Sequence, residues 1–583
     1  MLSITLPQPL TIHYPKQTKK KTPIQVHAKK TITTHHPHKP QPSSLTTQPS
    51  PPSTTTTFMA TTTLIINSKT TTITILCTSV TLLIFLCYKT ITRWLRRRCL
   101  SLPPGPAGVP IFGNLLTLNP ELHTHFATLA KTHGPIFTIK LGNRLAIVIS
   151  GVDMAKEVLR LQDDNFANRI IPAAAKTMEY IKSNIVSSPN GPTLRLLRKI
   201  CVREMLGKAS LDRVYWLRQR EMKSLLIHLE EMAGEAVDVG AQMFLMVMNV
   251  ITSMLWGGVV EGEEKRKEVG KEFREVVGDI TEMLGKPNLS DFFPRLERFD
   301  VQGIQRKMKE KLVRLDGIFE RIIEERKKNG GDGCEDKDFL GFMLRMEKDG
   351  GGDDNSKSGA TTPFTINHVK ALLMDMVVGG TETTSNTVEW AMAELIQKPE
   401  MMKKAQQELE QVVGKDNMVE ESHLPKLTYL GAVIKEVLRL HPALPLLVPH
   451  CPNSTCTING YTIPQGSQVF VNVWAIHRDP AIWENPLEFK PERFLGIDGS
   501  KWDFTGNDFR YFPFGSGRRI CAGIPMAERI VGYALASLLH SFDWNLPEGT
   551  KLDLSERFGI VLKKATPLVA VPTPKLSHEV LAS

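Results

Sequence analysis

The chain has 583 residues, 41% of them hydrophobic, enough to bury a large core, and no internal repeat asks for a second catalytic domain. The formal charge of +11 invites a polyanion partner until it is located: residues 1–100 hold 13 Lys and Arg and no acid, leaving 59 bases against 61 acids beyond them. The bulk of the chain is near neutral, which argues against nucleic acid.

Residues 1–58 are rich in Thr, Pro, Lys and His, lack acids and show no periodicity, so disorder is expected. Two readings stay open: translation starts at Met59, which is favoured, or the segment is an organelle transit peptide, which would send the protein to a plastid. Residues 59–100 read as a membrane anchor. Thr70 to Tyr88 carry no charge and as a helix would span roughly 28 Å, just enough for a hydrocarbon core. The basic cluster Lys89, Arg93, Arg96, Arg97 and Arg98 follows the apolar run and would stay cytosolic. Residues 101–110 include Leu102-Pro103-Pro104-Gly105-Pro106, a stiff hinge. Residues 111–583 are expected to form one large folded domain.

Within that domain, Gly191-Pro192-Thr193-Leu194-Arg195-Leu196-Leu197-Arg198-Lys199 presents basic side chains on a short helix. The charged stretch Glu261 to Glu272 and the glycine-rich Gly330 to Gly359 read as exposed connections. Thr365 to Gln397 reads as one long helix capped by Thr365, with Gly379-Gly380-Thr381-Glu382-Thr383-Thr384 as a costly interruption in its middle. Glu436 and Arg439 stand three apart on one helix face. The proline-rich run Pro442 to His450 should be extended and apolar. Cys451 and Cys456 are taken as free thiols of a reducing compartment. Near the end comes Phe514-Gly515-Ser516-Gly517-Arg518-Arg519-Ile520-Cys521-Ala522-Gly523. A thiolate in such a glycine turn can ligate haem iron and favour O–O cleavage, with the turn's N–H groups tuning the sulfur.

The pattern Phe-x-x-Gly-x-Arg-x-Cys-x-Gly resembles the haem-binding loop of the cytochrome P-450 family. The central-helix motif, Glu436-x-x-Arg439 and Lys490-Pro491-Glu492-Arg493-Phe494 follow the same family from about Leu102 to the end. The resemblance implies a mainly α fold with a smaller β-rich part, and haem b held on Cys521. Arg198, His450, Phe514, Gly517, Arg519 and Gly523 would border the haem, with arginines on its propionates. A local unwinding of the central helix would make a groove for dioxygen, where Thr383 donates a hydrogen bond and Glu382 relays protons. Glu436, Arg439 and Arg493 would form a buried structural network. Gly379, Gly380, Leu444, Leu446, Leu447, Phe558 and Ile560 would line the substrate pocket.

In the family a tryptophan usually stands where this chain has Leu194. One propionate contact is then missing, which predicts weaker haem retention. No Gly-x-Gly-x-x-Gly fingerprint or complete phosphate loop occurs. The two electrons that split dioxygen are therefore expected from a separate reductase, and the resemblance to microsomal members implies the membrane-bound flavoprotein that draws them from NADPH. The wording of the motifs is similar to plant enzymes of specialised metabolism, which implies oxygen insertion into a lipophilic small molecule, a terpenoid first and a flavonoid or other phenolic second. Anchor, basic stop and hinge resemble microsomal members, so membrane lipid of the endoplasmic reticulum is expected to hold a single-pass protein facing the cytosol. The rival readings are an oxygen-independent isomerase or dehydratase on the same fold, and a haem-binding protein without catalysis.

Overall fold

The computed structural model describes residues 74–85, 88, 101–177, 180, 183–257, 263–329, 338–349, 363–496 and 502–582. The leader 1–58 and the basic stop Lys89 to Arg98 lie outside them. Thr74–Phe85 is helical with every residue exposed, and belongs to a unit separate from the rest of the chain.

In the larger unit, α1 (Leu122–His133) precedes the hairpin β1 (Ile136–Leu141) and β2 (Arg144–Ile149). The β-branched residues of that hairpin pack on both faces, and Phe137 opposes Val148 in antiparallel register. The short helix α2 (Pro192–Lys199) starts on a proline, where the absent N–H costs nothing, and continues as a wider π-turn to Met205. Helix α3 (Tyr215–Glu231) and the two-residue β3 (Val237–Asp238) lead into α4 (Val239–Trp256). Helix α4 is long and apolar enough to cross a membrane, yet it is mostly buried and serves as core.

Glu261 to Glu272 is not a connection: α5 runs from Glu263 to Gly285. Its first half is charged, and the apolar Phe273, Val276, Val277 and Ile280 of the second half carry it into the core. After α6 (Ile304–Asn329) the same correction applies to part of the glycine-rich segment. Phe339–Lys348 forms α7, capped by Asp338, which accepts the Gly341 N–H at 3.0 Å, and anchored by buried Phe339, Leu340 and Met343.

Helix α8 (Ile366–Gln397) crosses the core and packs most extensively on α4 and on the helix that follows the Cys521 turn. Thr365 starts it as expected, its N–H donating to His368 Nδ1 at 3.2 Å. The expected unwinding at Gly379-Gly380 does not occur, and the helix is continuous. The hydroxyls of Thr381, Thr383, Ser385 and Thr387 donate to carbonyls four residues back, at 2.6, 2.7, 3.0 and 2.8 Å, so polar side chains are satisfied without opening the backbone. The groove comes instead from missing side chain: a Cβ on Gly379 would meet nothing within 4 Å.

Helices α9 (Pro399–Val413) and α10 (Thr428–Leu440) follow, then the hairpin β4 (Cys456–Ile458) and β5 (Tyr461–Ile463). Strand β6 (Gln468–Val471) joins β2 in parallel, Val148 beside Phe470, to complete the β1-β2-β6 sheet. The run 442–449 is a series of bends and turns rather than an extended segment, with Leu447 at φ +52°. Helix α11 (Ile524–Ser541) starts just after Cys521 and ends in β7 (Phe542–Asn545). The small hairpin β8 (Glu556–Arg557) and β9 (Lys563–Lys564) precedes β10 (Val569–Pro574), which lies between β3 and β7. The architecture is thus mainly helical with small sheets at its margins.

One buried carboxylate ties α10 to the irregular stretch before the Cys521 turn. Arg439 donates to Glu436 from Nε at 2.7 Å and from a second nitrogen at 2.8 Å, and both side chains are fully buried. The rest of the guanidinium reaches the carbonyls of His477, Pro486 and Glu488. Glu436 also accepts the Lys490 N–H at 2.8 Å and faces Arg493 Nε at 3.4 Å. Removing the carboxylate would strand two guanidiniums, a cost of about 3 to 5 kcal/mol. We expect Glu436→Ala to lower the urea midpoint by a corresponding amount at unchanged slope, and an unchanged midpoint would refute the assignment.

Candidate active site

The Cys521 turn is shaped by glycine. Gly515 and Gly517 take φ of +74° and +65°, and a Cβ on Gly517 would lie 2.1 Å from the Leu159 carbonyl oxygen. Close approach to Leu159, and not to a macrocycle, is what demands glycine at 517. The Cys521 N–H donates to the Phe514 carbonyl at 3.0 Å, and Phe514 itself rests edge-on against Phe504. The Gly523 N–H points at Cys521 Sγ, 3.3 Å away.

Cys521 is exposed as a residue, although protein crowds its thiol enough to desolvate it. Burial pushes the thiol above its usual value, while the Gly523 N–H and the Arg198 guanidinium oppose that shift. A neutral thiol in these surroundings becomes a thiolate when a metal cation supplies the compensating charge.

Around this turn lies positive charge without a protein counter-ion. Arg519 donates to the carbonyls of Ala167 at 2.6 Å, Ile185 at 2.8 Å and Ser188. Arg169, which the sequence reading passed over, donates to the carbonyls of Val448 and Pro449. Burial and Arg519 push the Arg169 guanidinium down to about 9, and burial and Arg198 push Arg519 down to about 10. Among the described residues no carboxylate pairs with Arg169, Arg198 or Arg519, and Arg169 Nε is buried without a partner. A molecule with two carboxylates would relieve this accumulation.

His450 is buried here but in another role than the one expected. Its Nδ1 sits 2.9 Å from the Phe166 carbonyl, and burial together with Arg169 holds the ring neutral. A neutral ring whose only N–H is spent on Phe166 has no donor left for a propionate. Leu194 is buried on α2 and supplies none either.

Helix α8 meets the start of α11 where a Cβ on Gly380 would come 2.8 Å from Ile251 Cδ1 and 3.2 Å from Met526 Cε. Gly380 is therefore packing, and of the two glycines Gly379 faces open space. Thr383 is half-buried one turn further on. Its hydroxyl donates to the Gly379 carbonyl at 2.7 Å, so it presents acceptor lone pairs to the groove instead of the expected donor. Glu382 accepts from Lys563 Nζ at 2.9 Å.

The apolar candidates separate. Leu446 is buried in the cluster that holds Phe126, Phe137 and Phe470, and Phe558 packs on that cluster with its ring stacked 5.5 Å from His123. Leu447 turns toward the Cys521 loop, 3.8 Å from where a Cβ on Gly515 would lie. Leu444, half-buried, and Ile560, 38% exposed, remain free to meet a ligand. Proline-rich spacing could not reveal this division, because the turn at Leu447 sends neighbouring side chains to different clusters.

Asp375 is a second residue that sequence reasoning missed. It is half-buried one turn before Gly379 and accepts the N–H groups of Ile185, at 2.6 Å, and Val186. The same loop lends its Ile185 and Ser188 carbonyls to Arg519.

A helical body with a thiol set in a glycine turn, facing a notched central helix and ringed by unpaired guanidiniums, defines a haem-thiolate protein. The cytochrome P-450 family model matches residues 103–571, and the chain belongs to that family. It is 40% identical over 490 residues to a flavonoid 3'-monooxygenase of Petunia hybrida, covering 83% of this chain and 94% of the relative. With a geraniol 8-hydroxylase of Swertia mussotii it shares 41% over 486 residues, covering 82% and 94%. A zebrafish cytochrome P-450 solved with progesterone superposes with TM-score 0.67 at 26% identity, over 78% of this chain and all of the other. The protein is a haem-thiolate monooxygenase acting on lipophilic small molecules, similar to plant enzymes of specialised metabolism. The isomerase and carrier readings find no support in these relatives.

Two predictions follow from the charge distribution. Arg169→Leu should speed haem loss to an excess of apomyoglobin several-fold and Leu194→Trp should slow it; equal rates in all three proteins would remove the anionic partner from the argument. Burial pushes the Asp375 carboxyl up to about 7 against an unfolded value of about 3.9, so folding takes up a proton between those values. Its contribution is most favourable below pH 4 and declines as pH rises to 7. Denaturation between pH 4.5 and 7 should show a flatter profile for Asp375→Asn than for the parent.

Proposed function

We propose that this monooxygenase takes its electrons from NADPH through a separate flavoprotein reductase and hydroxylates a terpenoid, by the stoichiometry R–H + O2 + NADPH + H+ → R–OH + H2O + NADP+. Haem held on Cys521 supplies the activation of dioxygen. Arg169, Arg198 and Arg519 hold and orient its carboxylates. Gly379 leaves room in the groove, Thr383 offers an acceptor there, and Glu382 holds a proton-exchanging carboxylate on the next residue. Leu444 and Ile560 exclude water from the ligand's side.

The single observation that carries the reading is the exposed Cys521 in its glycine turn, its sulfur hydrogen-bonded by the Gly523 N–H at 3.3 Å. For the substrate class, the apolar residues left facing a ligand, Gly379, Leu444 and Ile560, bring no side-chain donor or acceptor and Thr383 brings a single acceptor, which favours a terpenoid over a polyphenol most of whose hydroxyls would be stripped of water without replacement. The Swertia mussotii relative is named for geraniol, the Petunia hybrida one for flavonoids.

A reductase partner is supported by an open cavity of about 540 Å³ beside the Cys521 loop, whose lining includes Arg195, Lys199, Arg203 and Arg518, basic side chains that suit an acidic docking face. Membrane attachment is supported by the apolar helix Thr74–Phe85 and by a patch on the larger unit. There Ile111, Phe112 and Leu116 from the hinge side and Leu296, Phe299 and Val301 from the segment before α6 are all exposed. The Asn143 N–H donates to Phe292 at 2.9 Å and Phe112 packs on Phe293, which joins the two strips. An endoplasmic reticulum protein with a cytosolic catalytic domain fits this arrangement.

Purified protein should give a reduced carbon monoxide adduct absorbing near ~450 nm, the mark of a thiolate ligand, and Cys521→Ala should lose it. Monoterpene alcohols should shift the haem absorption at lower concentration than flavonoids and yield hydroxylated product with reductase and NADPH. Tighter binding and turnover of flavonoids would reverse the substrate assignment.

A further inference from the structure

Glu382 is held by a residue from the far end of the chain. Lys563 Nζ donates to Glu382 Oε1 at 2.9 Å across 181 residues, with the carboxylate 14% exposed and the lysine 37%. No other carboxylate among the described residues lies within ion-pair distance of Lys563. Lys563 stands at the root of the β8–β9 hairpin, in register with Arg557, and the loop between them carries Ile560.

The lysine's place is determined by its neighbours. The Leu562 N–H donates to the Ala443 carbonyl at 2.9 Å, next to Leu444. Lys564 is buried, with Nζ 4.9 Å above the Trp390 ring and a hydrogen bond to the Asp553 carbonyl. The Leu568 N–H donates to Glu389 Oε1 at 2.9 Å. Glu382 and Glu389 are two turns apart on one face of α8, so residues 562–568 run along that face and are pinned at both ends.

We infer that Lys563 is a positioning residue for Glu382: its ammonium holds the carboxylate's direction beside Thr383, and through the hairpin that holds Ile560 it links that direction to the wall of the substrate pocket. The inference rests on the monooxygenase reading and adds to it a residue that the motifs do not contain. A carboxylate that wanders delivers protons without discrimination. The electrons of NADPH then leave by O2 + NADPH + H+ → H2O2 + NADP+ in place of entering R–OH and water.

The test uses the full chain with reductase, NADPH and a substrate that shifts the haem absorption. Lys563→Gln should keep the carbon monoxide band and the substrate-induced shift while raising the peroxide share of consumed NADPH several-fold. Lys563→Arg, which restores the charge, should bring that share back toward the parent's. Glu382→Gln with Lys563→Gln should be no worse than Glu382→Gln alone. Parent-like partition in Lys563→Gln, failure of the arginine to rescue, or losses that multiply in the double variant would each overturn the inference. Thermal unfolding of the same set decides the matter independently of turnover: the pair exists if the two single shifts do not add in the double variant, and does not if they add. A parent protein that consumes no NADPH would count against the monooxygenase reading alone.

Discussion

Carrying acids through a hydrophobic core obliges each of them to find a partner, and that obligation organises this molecule around helix α8. Asp375 takes two backbone N–H groups from the loop at 185–186, Glu382 takes Lys563, Glu389 takes the Leu568 N–H, and Glu394 takes His441 and Lys398. A buried carboxylate without such partners would cost several kcal/mol, so each fastens a segment remote in sequence to the same helix. The helix that borders the groove is thereby also the post to which loop, hairpin and C-terminal strands are tied.

The opposite sign of charge prevails a short way off. Arg169 and Arg519 have carbonyls as their partners, and neither they nor Arg198 meets an acid among the described residues, at a cost visible in the lowering of all three guanidiniums. Proteins tolerate such an arrangement where a bound anion completes it. The two carboxylates of a haem would supply anionic partners to this cluster, with Arg169, Arg198 and Arg519 as the residues to hold them. The Glu436 network is the converse case, a fully paired set whose work is to hold the residues ahead of the Cys521 turn in place.

The motifs made the chemical class readable because each consists of residues with few substitutes: a sulfur for iron, glycines where a carbonyl lies 2.1 Å from a would-be Cβ, and a carboxylate between two arginines. Readings built on composition alone fared less well. Glu263–Gly285 is a helix in spite of its charged first half, since apolar residues further along give it a core to join. Leu446 and Phe558 are apolar and near the right part of the chain, yet they serve the core beside the β1-β2-β6 sheet. Arg169 and Lys563 carried no local signal at all, because their meaning lies in partners 279 and 181 residues away.

The sequence by itself determined the haem-thiolate class, the mainly helical fold, the carboxylate and arginines of the structural network, and the capped central helix. The sulfur turn, the spacing of Glu436 and Arg439 and the helix cap follow from local residue chemistry, whereas the fold and the place of Arg493 in the network came from the resemblance to the family. Tertiary structure alone decided that α8 stays continuous through its glycines, that Thr383 spends its proton on Gly379, that His450 is a neutral donor to Phe166, and that Lys563 holds Glu382. In each of these the outcome turns on which buried donor reaches which acceptor first, a competition settled by packing between distant segments.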